Sequence, residues 1–226
     1  MDEIQPGAVT VASAVRVAAE QLLAAFALTA LSPLLALVAL AIKLDDGGPV
    51  FYSQLRIGKN LRPFRLWKFR SMVRGADRLG SLTGPSDPRT TRVGDLLRRS
   101  KLDELPQLFN VLRGEMQLVG PRPEVERYVS LFRAQYEVLL QGRPGITDPA
   151  SLLYREEEKL FDGPSLEEQY VSQFLPDKLR ISLEYQRQRS TWSDFVVLLR
   201  TVSPFFKPAR KTAGSLNDVI PNKLSQ

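Results

Sequence analysis

The longest feature in the hydrophobic pattern is a run from Gln21 to Ile42 without a charged side chain. A helix of about 20 residues, at 1.5 Å per residue, matches a hydrocarbon layer roughly 30 Å thick. The run has no polar face, so it fits a membrane helix better than a buried helix of a soluble core. It does not read as a signal peptide: no basic n-region begins the chain and no small-residue cleavage site follows. Ser32-Pro33 falls near its middle. Pro33 cannot donate to the Thr29 carbonyl, which predicts a kink. The Ser32 or Thr29 hydroxyl is placed to satisfy the freed group. A sharp bend would let the segment enter and leave the bilayer on one side. The pattern tilts toward that re-entrant course, with a spanning helix as the alternative.

Beyond the run the periodicity shortens. Val50–Ile57 and Leu61–Phe69 read as two strands around Gly58-Lys-Asn60, a hairpin. Gly75–Pro88 is rich in Gly and Pro and reads as a loop, with an active-site lid as one use. A helix starts around Asp95, with Asp95 as its N-cap. Pro106 is tolerated only in a first turn, so a second helix runs from about Leu105 to Arg113 and stops at Gly114. Leu105, Leu108, Phe109 and Leu112 would share its apolar face. Gln117–Val119 reads as a short strand, Val125–Leu140 as a helix, and Arg143–Pro149 as a turn-rich loop. Tyr154–Lys159 reads as a solvated charge cluster. Helices follow from Pro176 to Tyr185 and from Thr191 to Thr201, and Ala209–Gln226 reads as a loose tail. There is no internal repeat. The expected class is α/β, mostly α. Residues 1–45 form the N-terminal and membrane segment, 46–208 the main domain and 209–226 the tail.

Composition narrows the chemistry. The 226 residues carry a net charge of +6, and contain neither Cys nor His. That excludes disulfides, Cys/His zinc sites, thiol nucleophiles and histidine acid–base catalysis. What remains is carboxylate, hydroxyl, Lys or Tyr chemistry, with any metal a hard, oxygen-liganded ion such as Mg²⁺. The basic balance points to an anionic partner. Between Phe51 and Arg74 lie Arg56, Lys59, Arg62, Arg65, Lys68, Arg70 and Arg74 with no acid between them. The positive-inside rule places this side in the cytoplasm. Phe51, Tyr52, Phe64, Trp67 and Phe69 interleave with these cations. That mixture suits a lipid headgroup layer, and also single-stranded nucleic acid; the adjoining apolar run favours the membrane.

The chemistry concentrates between Arg98 and Glu124. An acid pair, Asp103-Glu104, sits beside Arg98, Arg99 and Lys101. Pro106 puts the pair at a helix start, where backbone N–H groups favour anions. Downstream, Pro121 and Pro123 restrict the backbone on both sides of Arg122, whose guanidinium suits bidentate phosphate binding. On spacing alone, the dyad divides evenly between a solvated helix face and a phosphate site. Arg122 alone reads equally as a turn with an exposed side chain.

The stretch LDELPQLFNVLRGEMQLVGPRPE resembles the signature of the bacterial sugar transferases, the monotopic phosphoglycosyl transferases. GGPVFYSQLRIGKNLRPFRLWKFRSM, DPRTTRVGDLLRRSKLDELPQ, RPGITDPASL and the Trp192-x-Asp194 region resemble further blocks of that family in the same order, covering about Ser32 to Thr201. The resemblance implies a monotopic enzyme of the bacterial inner membrane. A re-entrant helix broken at Ser-Pro would hold it, with its catalytic domain facing the cytoplasm. Its implied reaction moves a sugar 1-phosphate from a nucleotide sugar, usually UDP-linked, to polyprenyl phosphate. Mg²⁺ is required, the nucleoside monophosphate leaves, and lipid-linked glycan or exopolysaccharide assembly begins. Larger members add four transmembrane helices before this core, so the minimal form is expected.

The family's dyad maps onto Asp103 and Glu104, and its Pro-Arg-Pro arginine onto Arg122. Asp103 is then the expected nucleophile and Glu104 the Mg²⁺ ligand. Lys59 and Arg98 are expected as further substrate-binding cations, and Asp194 as a metal partner. One departure stands out: the family's PGITG loop reads Pro144-Gly-Ile-Thr-Asp148 here. The expected partners are a nucleotide sugar, polyprenyl phosphate and inner-membrane lipid, not nucleic acid, with a homodimer left open. Two alternatives stand against this reading: direct transfer in a ternary complex, and a membrane-anchored basic adaptor that binds lipid or nucleic acid without catalysis.

Overall fold

A computed structural model describes residues 11–76, 82–84, 87–157, 160–161, 165–203 and 216–220. Its first two helices, α1 (Val11–Ala30) and α2 (Ser32–Asp46), meet at a bend of 61°. The cause is the expected one. Pro33 has no N–H, and the Thr29 carbonyl instead accepts the Ser32 hydroxyl at 2.8 Å. Neither arm alone is long and apolar enough to cross a membrane; the bent pair together passes that test of length and composition. Leu22, Phe26, Leu37 and Leu44 stand exposed along the two arms. Their opposite faces pack inward, Ala24 against Leu108, Val111 and Met116, and Val38 and Ile42 against Phe69 and Leu97.

The hairpin forms as the alternation predicts. Strands β1 (Phe51–Ile57) and β2 (Pro63–Phe69) pair antiparallel, with Tyr52 opposite Lys68 and Arg56 opposite Phe64. Period-two alternation turns Tyr52, Gln54, Arg56 and Lys68 to one face. Arg70, just past β2, is buried. It bonds the Asp46 carboxylate, the Pro49 carbonyl (2.6 Å) and the Met72 carbonyl (3.2 Å), fastening the end of α2 to the end of the hairpin. Of the Gly75–Pro88 loop, residues 77–81 and 85–86 lie outside the described residues, so the lid expectation does too.

Helix α3 (Arg92–Ser100) starts earlier than expected. Thr91 is its N-cap, accepting from the Gly94 amide at 3.0 Å, and Asp95 falls in the first turn. A 3-10 turn, Leu102–Glu104, leads into α4 (Gln107–Leu112). The buried face of α4 is Gln107, Leu108, Asn110 and Val111, whereas Phe109 and Leu112 are exposed. The apolar pattern misplaced this face because Asn110 is a fully buried linker. Its amide accepts from Trp67 N (3.1 Å) and donates to Arg65 O (2.7 Å) and Glu115 (2.7 Å).

The second half corrects three more expectations. Val125–Leu140 is two helices, α5 (Glu126–Leu131) and α6 (Arg133–Leu139), broken at Phe132, which is non-helical at φ −123° and ψ 39°. The Arg143–Pro149 loop contains strand β4 (Gly145–Thr147), parallel to β3 (Gln117–Val119). Helices α7 (Pro149–Leu153), α8 (Leu166–Gln169), a π turn (Tyr170–Phe174), α9 (Leu175–Arg187) and α10 (Thr191–Val202) complete the body. The tail is not loose throughout. A short α11 (Leu216–Val219) buries Leu216 and Val219 among Val119, Ala150, Ile181 and Val197.

The β3–β4 pair sets the exit of the Pro-Arg-Pro segment. Gly120 N donates to Thr147 O (2.9 Å) and Gly145 N to Pro121 O (3.0 Å). A Cβ on Gly145 would run into the Gly120 backbone. Gly145→Ala should therefore destabilise the protein by about 1–3 kcal/mol through overpacking. Thermal unfolding of the purified protein checks this, with Tm expected to fall by about 2–4 °C per kcal/mol.

Candidate active site

Backbone geometry places the acid pair. Lys101 takes a left-handed conformation (φ 58°) between α3 and the 3-10 turn, reversing the chain. Asp103 is thereby turned inward to 6% exposure. It lines a cavity of about 850 Å³ together with Arg98, Lys101, Glu104, Arg122 and the inward hairpin face, Tyr52, Gln54, Arg56 and Lys68.

Glu104 is held from two sides. Arg122 reaches it with both terminal nitrogens, Nη1 lying 3.1 Å from Oε2 and Nη2 on Oε1. Lys68 Nζ lies 3.2 Å from Oε1. Burial works to raise the Glu104 pKa; the Arg122 charge and then Lys68 outweigh it, holding the carboxyl well below its usual range. Glu104 in turn raises the Arg122 pKa, and burial lowers that of Lys68. Asp103 goes the other way. Burial raises it above the ordinary 3.8, with Lys68 opposing and Glu104 reinforcing. Its Oδ1 is buried and without a hydrogen-bond partner among the described residues. Two adjacent carboxyls thus have pKa values driven apart, a pattern that separates chemical roles.

The arginine segment is pinned at its far end. Ile57 N donates to Glu124 O (2.9 Å). Arg56 pairs with the Glu124 carboxylate at 2.7 Å, and the Tyr170 hydroxyl donates to it at 2.6 Å. Tyr170 opens the π turn, an irregularity frequent at functional sites.

Of the residues singled out by sequence, Asp103, Glu104, Arg122 and Arg98 meet at the cavity. Lys59 does not; it sits exposed in the hairpin turn, outside the lining. Lys68, which the sequence did not single out, lines the cavity where Lys59 does not, and hairpin register with Tyr52 could have revealed it. Asp194 is also elsewhere, at the start of α10. It accepts from Arg16, from Tyr185 at 2.5 Å and from Arg189 at 2.9 Å, so its oxygens are taken by protein donors rather than set beside Glu104. Asp148, the departure in the PGITG-like loop, is a helix cap. It accepts from Ser151 N (2.7 Å) and the Ser182 hydroxyl (2.6 Å), and it is almost wholly buried. Among the described residues, no three Asp or Glu side chains converge as a metal cage. Of the Asp103–Glu104 pair, the unpartnered Asp103 Oδ1 fits Mg²⁺, which can bind through a single carboxylate and complete its shell with water and substrate phosphate, whereas both oxygens of Glu104, the expected ligand, are taken by Arg122 and Lys68.

A sequence model described as bacterial sugar transferase matches residues 11–208. The chain is 43% identical over 183 residues to an undecaprenyl-phosphate glucose phosphotransferase of Komagataeibacter xylinus, covering 77% of this chain and 32% of that protein. It is 38% identical over 189 residues to the UDP-glucose:undecaprenyl-phosphate glucose-1-phosphate transferase of Escherichia coli K12, covering 80% of this chain and 38% of that one. It is 34% identical over 197 residues to the exopolysaccharide production protein ExoY of Rhizobium meliloti, covering 80% of each. The chain belongs to the bacterial sugar transferase family. It spans about a third of the length of the first two relatives.

The opposed influences on Asp103 have a readable sign. Lys68→Met removes the cation that most lowers its pKa, so the Asp103 titration should move to higher pH. Glu104→Gln removes a like charge, so the titration should move to lower pH. Carboxyl ¹³C NMR on aspartate-labelled protein, assigned with Asp103→Asn, measures both.

Proposed function

We propose that the protein transfers a sugar 1-phosphate from a UDP-sugar to polyprenyl phosphate through a covalent intermediate on Asp103. The observation that carries this reading is the pair itself: Asp103 buried with an unpartnered oxygen, beside a Glu104 already clamped by Arg122 and Lys68. Two of the relatives above are named for glucose transfer involving undecaprenyl phosphate and a third for exopolysaccharide production, which supports the same reaction class.

In the first step an Asp103 carboxylate oxygen attacks the phosphorus that bears the sugar. A P–O bond forms, the bond to the bridging oxygen breaks, and UMP leaves with that electron pair. In the second step a phosphate oxygen of the polyprenyl acceptor attacks the same phosphorus. The Asp103–phosphorus bond breaks, and the carboxylate returns with a polyprenyl diphosphate sugar as product. Every reactant is an anion, so Lys68, Arg98, Lys101 and Arg122 around the cavity offset repulsion at the phosphorus. Mg²⁺, held through the unpartnered oxygen of Asp103, would supply further neutralisation of the donor diphosphate. Arg122 orients phosphate oxygens, and Glu104 keeps that guanidinium aimed.

The acceptor stays in the bilayer, so the reading includes membrane attachment. The bent apolar pair α1–α2 would dip into the cytoplasmic leaflet of the inner membrane. On α10, Trp192, Phe195, Leu199 and Val202 are exposed on one side, with the Trp192 and Phe195 rings 5.6 Å apart. An apolar stripe headed by Trp suits the lipid interface.

Incubation with a panel of UDP-sugars ¹⁴C-labelled in the sugar and no acceptor should leave label from at least one on the protein and release UMP, and Asp103→Asn should abolish the label. Label that survives this substitution, or never appears, would overturn the nucleophile. Only ionised Asp103 attacks. Because burial raises its pKa above 3.8, label formation should already fall as pH drops toward that raised value, before an ordinary aspartate would protonate.

Topology has its own test, since the chain contains no cysteine. Gln5→Cys and Asn222→Cys, placed singly, should react alike with an impermeant maleimide applied to inverted membrane vesicles. Opposite accessibility would mean that the segment spans.

A further inference from the structure

Helix α1 carries two charged side chains, Arg16 and Glu20, on an otherwise uncharged helix. Both leave the helix for the catalytic body; one path ends on strand β3 at Val119 and the other on Met116, the residue just before it. Arg16 pairs with Asp194 of α10, and Asp194 holds Arg189 at 2.9 Å and 3.2 Å. Arg189 Nη2 then donates to the Val119 carbonyl at 2.5 Å. One helical turn along, Glu20 pairs with Arg143 at 3.5 Å, and Arg143 Nη1 lies 3.4 Å from the Met116 carbonyl. Gln117 closes the frame by donating to the Arg143 carbonyl at 2.6 Å. Glu20, Arg143, Arg189 and Asp194 are each less than a fifth exposed, so the Glu20–Arg143 and Arg189–Asp194 pairs are weakly screened by salt, while Arg16 is 42% exposed.

The two endpoints, Met116 and Val119, bracket the strand whose continuation is Gly120, Pro121 and Arg122. Neither path touches the cavity lining at Asp103 or Glu104. Largely buried ion pairs such as Glu20–Arg143 and Arg189–Asp194 add little net stability for their desolvation cost and can serve to fix geometry. We infer that Arg16, Glu20, Arg143, Arg189 and Asp194 are positioning residues that set the height of Arg122 relative to α1. The inference rests on the function proposed above. If α1 lies at a depth imposed by lipid, this double tether passes that depth to the phosphate clamp. The acceptor phosphate is also held at a fixed depth. The UDP-sugar arrives from solution and can adjust its height. Loosening the tether should therefore impair transfer to lipid more than formation of the Asp103 intermediate.

The test uses the full chain in nanodiscs with Arg16→Gln and Glu20→Gln, separately and together. Hydrogen exchange at the Gln117 and Gly120 amides, which bond Pro144 O and Thr147 O, reports on β3 without any substrate. Exchange there should accelerate in both variants. In single-turnover experiments label formation should stay within about twofold of the parent, while transfer of label to polyprenyl phosphate should fall about tenfold or more, as a misplacement on the order of 1 Å produces. Arg16→Lys, which keeps the charge facing Asp194, should recover part of the transfer rate. Unchanged exchange would overturn the tether. Equal loss in both half-reactions would overturn the positioning role and leave an ordinary structural ion pair. If the parent protein takes no label, the aspartyl intermediate fails, and exchange at Gln117 and Gly120 decides the tether alone.

Discussion

The bidentate contact between Glu104 and Arg122 is the interaction on which the site depends. It joins two segments 18 residues apart in sequence, the 3-10 turn ahead of α4 and the proline-flanked exit of β3. Both partners are substantially withdrawn from water, where the attraction between opposite charges is several times stronger than in bulk solvent. The contact also divides labour between neighbouring carboxyls. Glu104 is committed to cations and stays ionised, whereas Asp103 is left beside it with no such bond to an arginine. Under the proposed reaction, a carboxylate left incompletely neutralised in this way is more reactive than one tied down by a guanidinium. Lys68 moderates the arrangement by lying within reach of both acids.

Much of this was readable along the chain because the decisive signals were local. Ser32-Pro33 announced its bend, and the hydroxyl that relieves it, within four residues. Pro106 fixed where the acid pair would sit, and two prolines marked Arg122. What the chain concealed was long-range. Lys68 looked like one of seven interchangeable cations until pairing with Tyr52 turned it inward. Lys59, equally basic, fell in the turn. Asp194 looked like a metal partner until Arg16, distant in sequence by 178 residues, claimed it. Strand β4 hid in a Pro- and Gly-rich loop because a three-residue strand has no periodicity to detect. The helix α4 face was misread for a related reason: Gln107 and Asn110 are polar by type and buried by position.

The departure at Asp148 shows how a family position can change its work. A glycine there has no side chain to spend. Aspartate caps α7 and binds Ser182 of α9, stitching the β4 exit to two helices. The substituted residue is therefore tied into the scaffold at the edge of the cavity that holds Asp103.

Asn110 has a consequence of a different kind. A two-stranded ribbon leaves unpaired amides and carbonyls along its outer margins, where a third strand from any chain could add. The Asn110 side chain takes the Trp67 amide and the Arg65 carbonyl from β2 in the manner of a neighbouring strand. One buried amide thereby terminates the ribbon on the side facing α4, and intermolecular strand addition there would first have to expel it. That closed margin is a safeguard against edge-to-edge self-assembly.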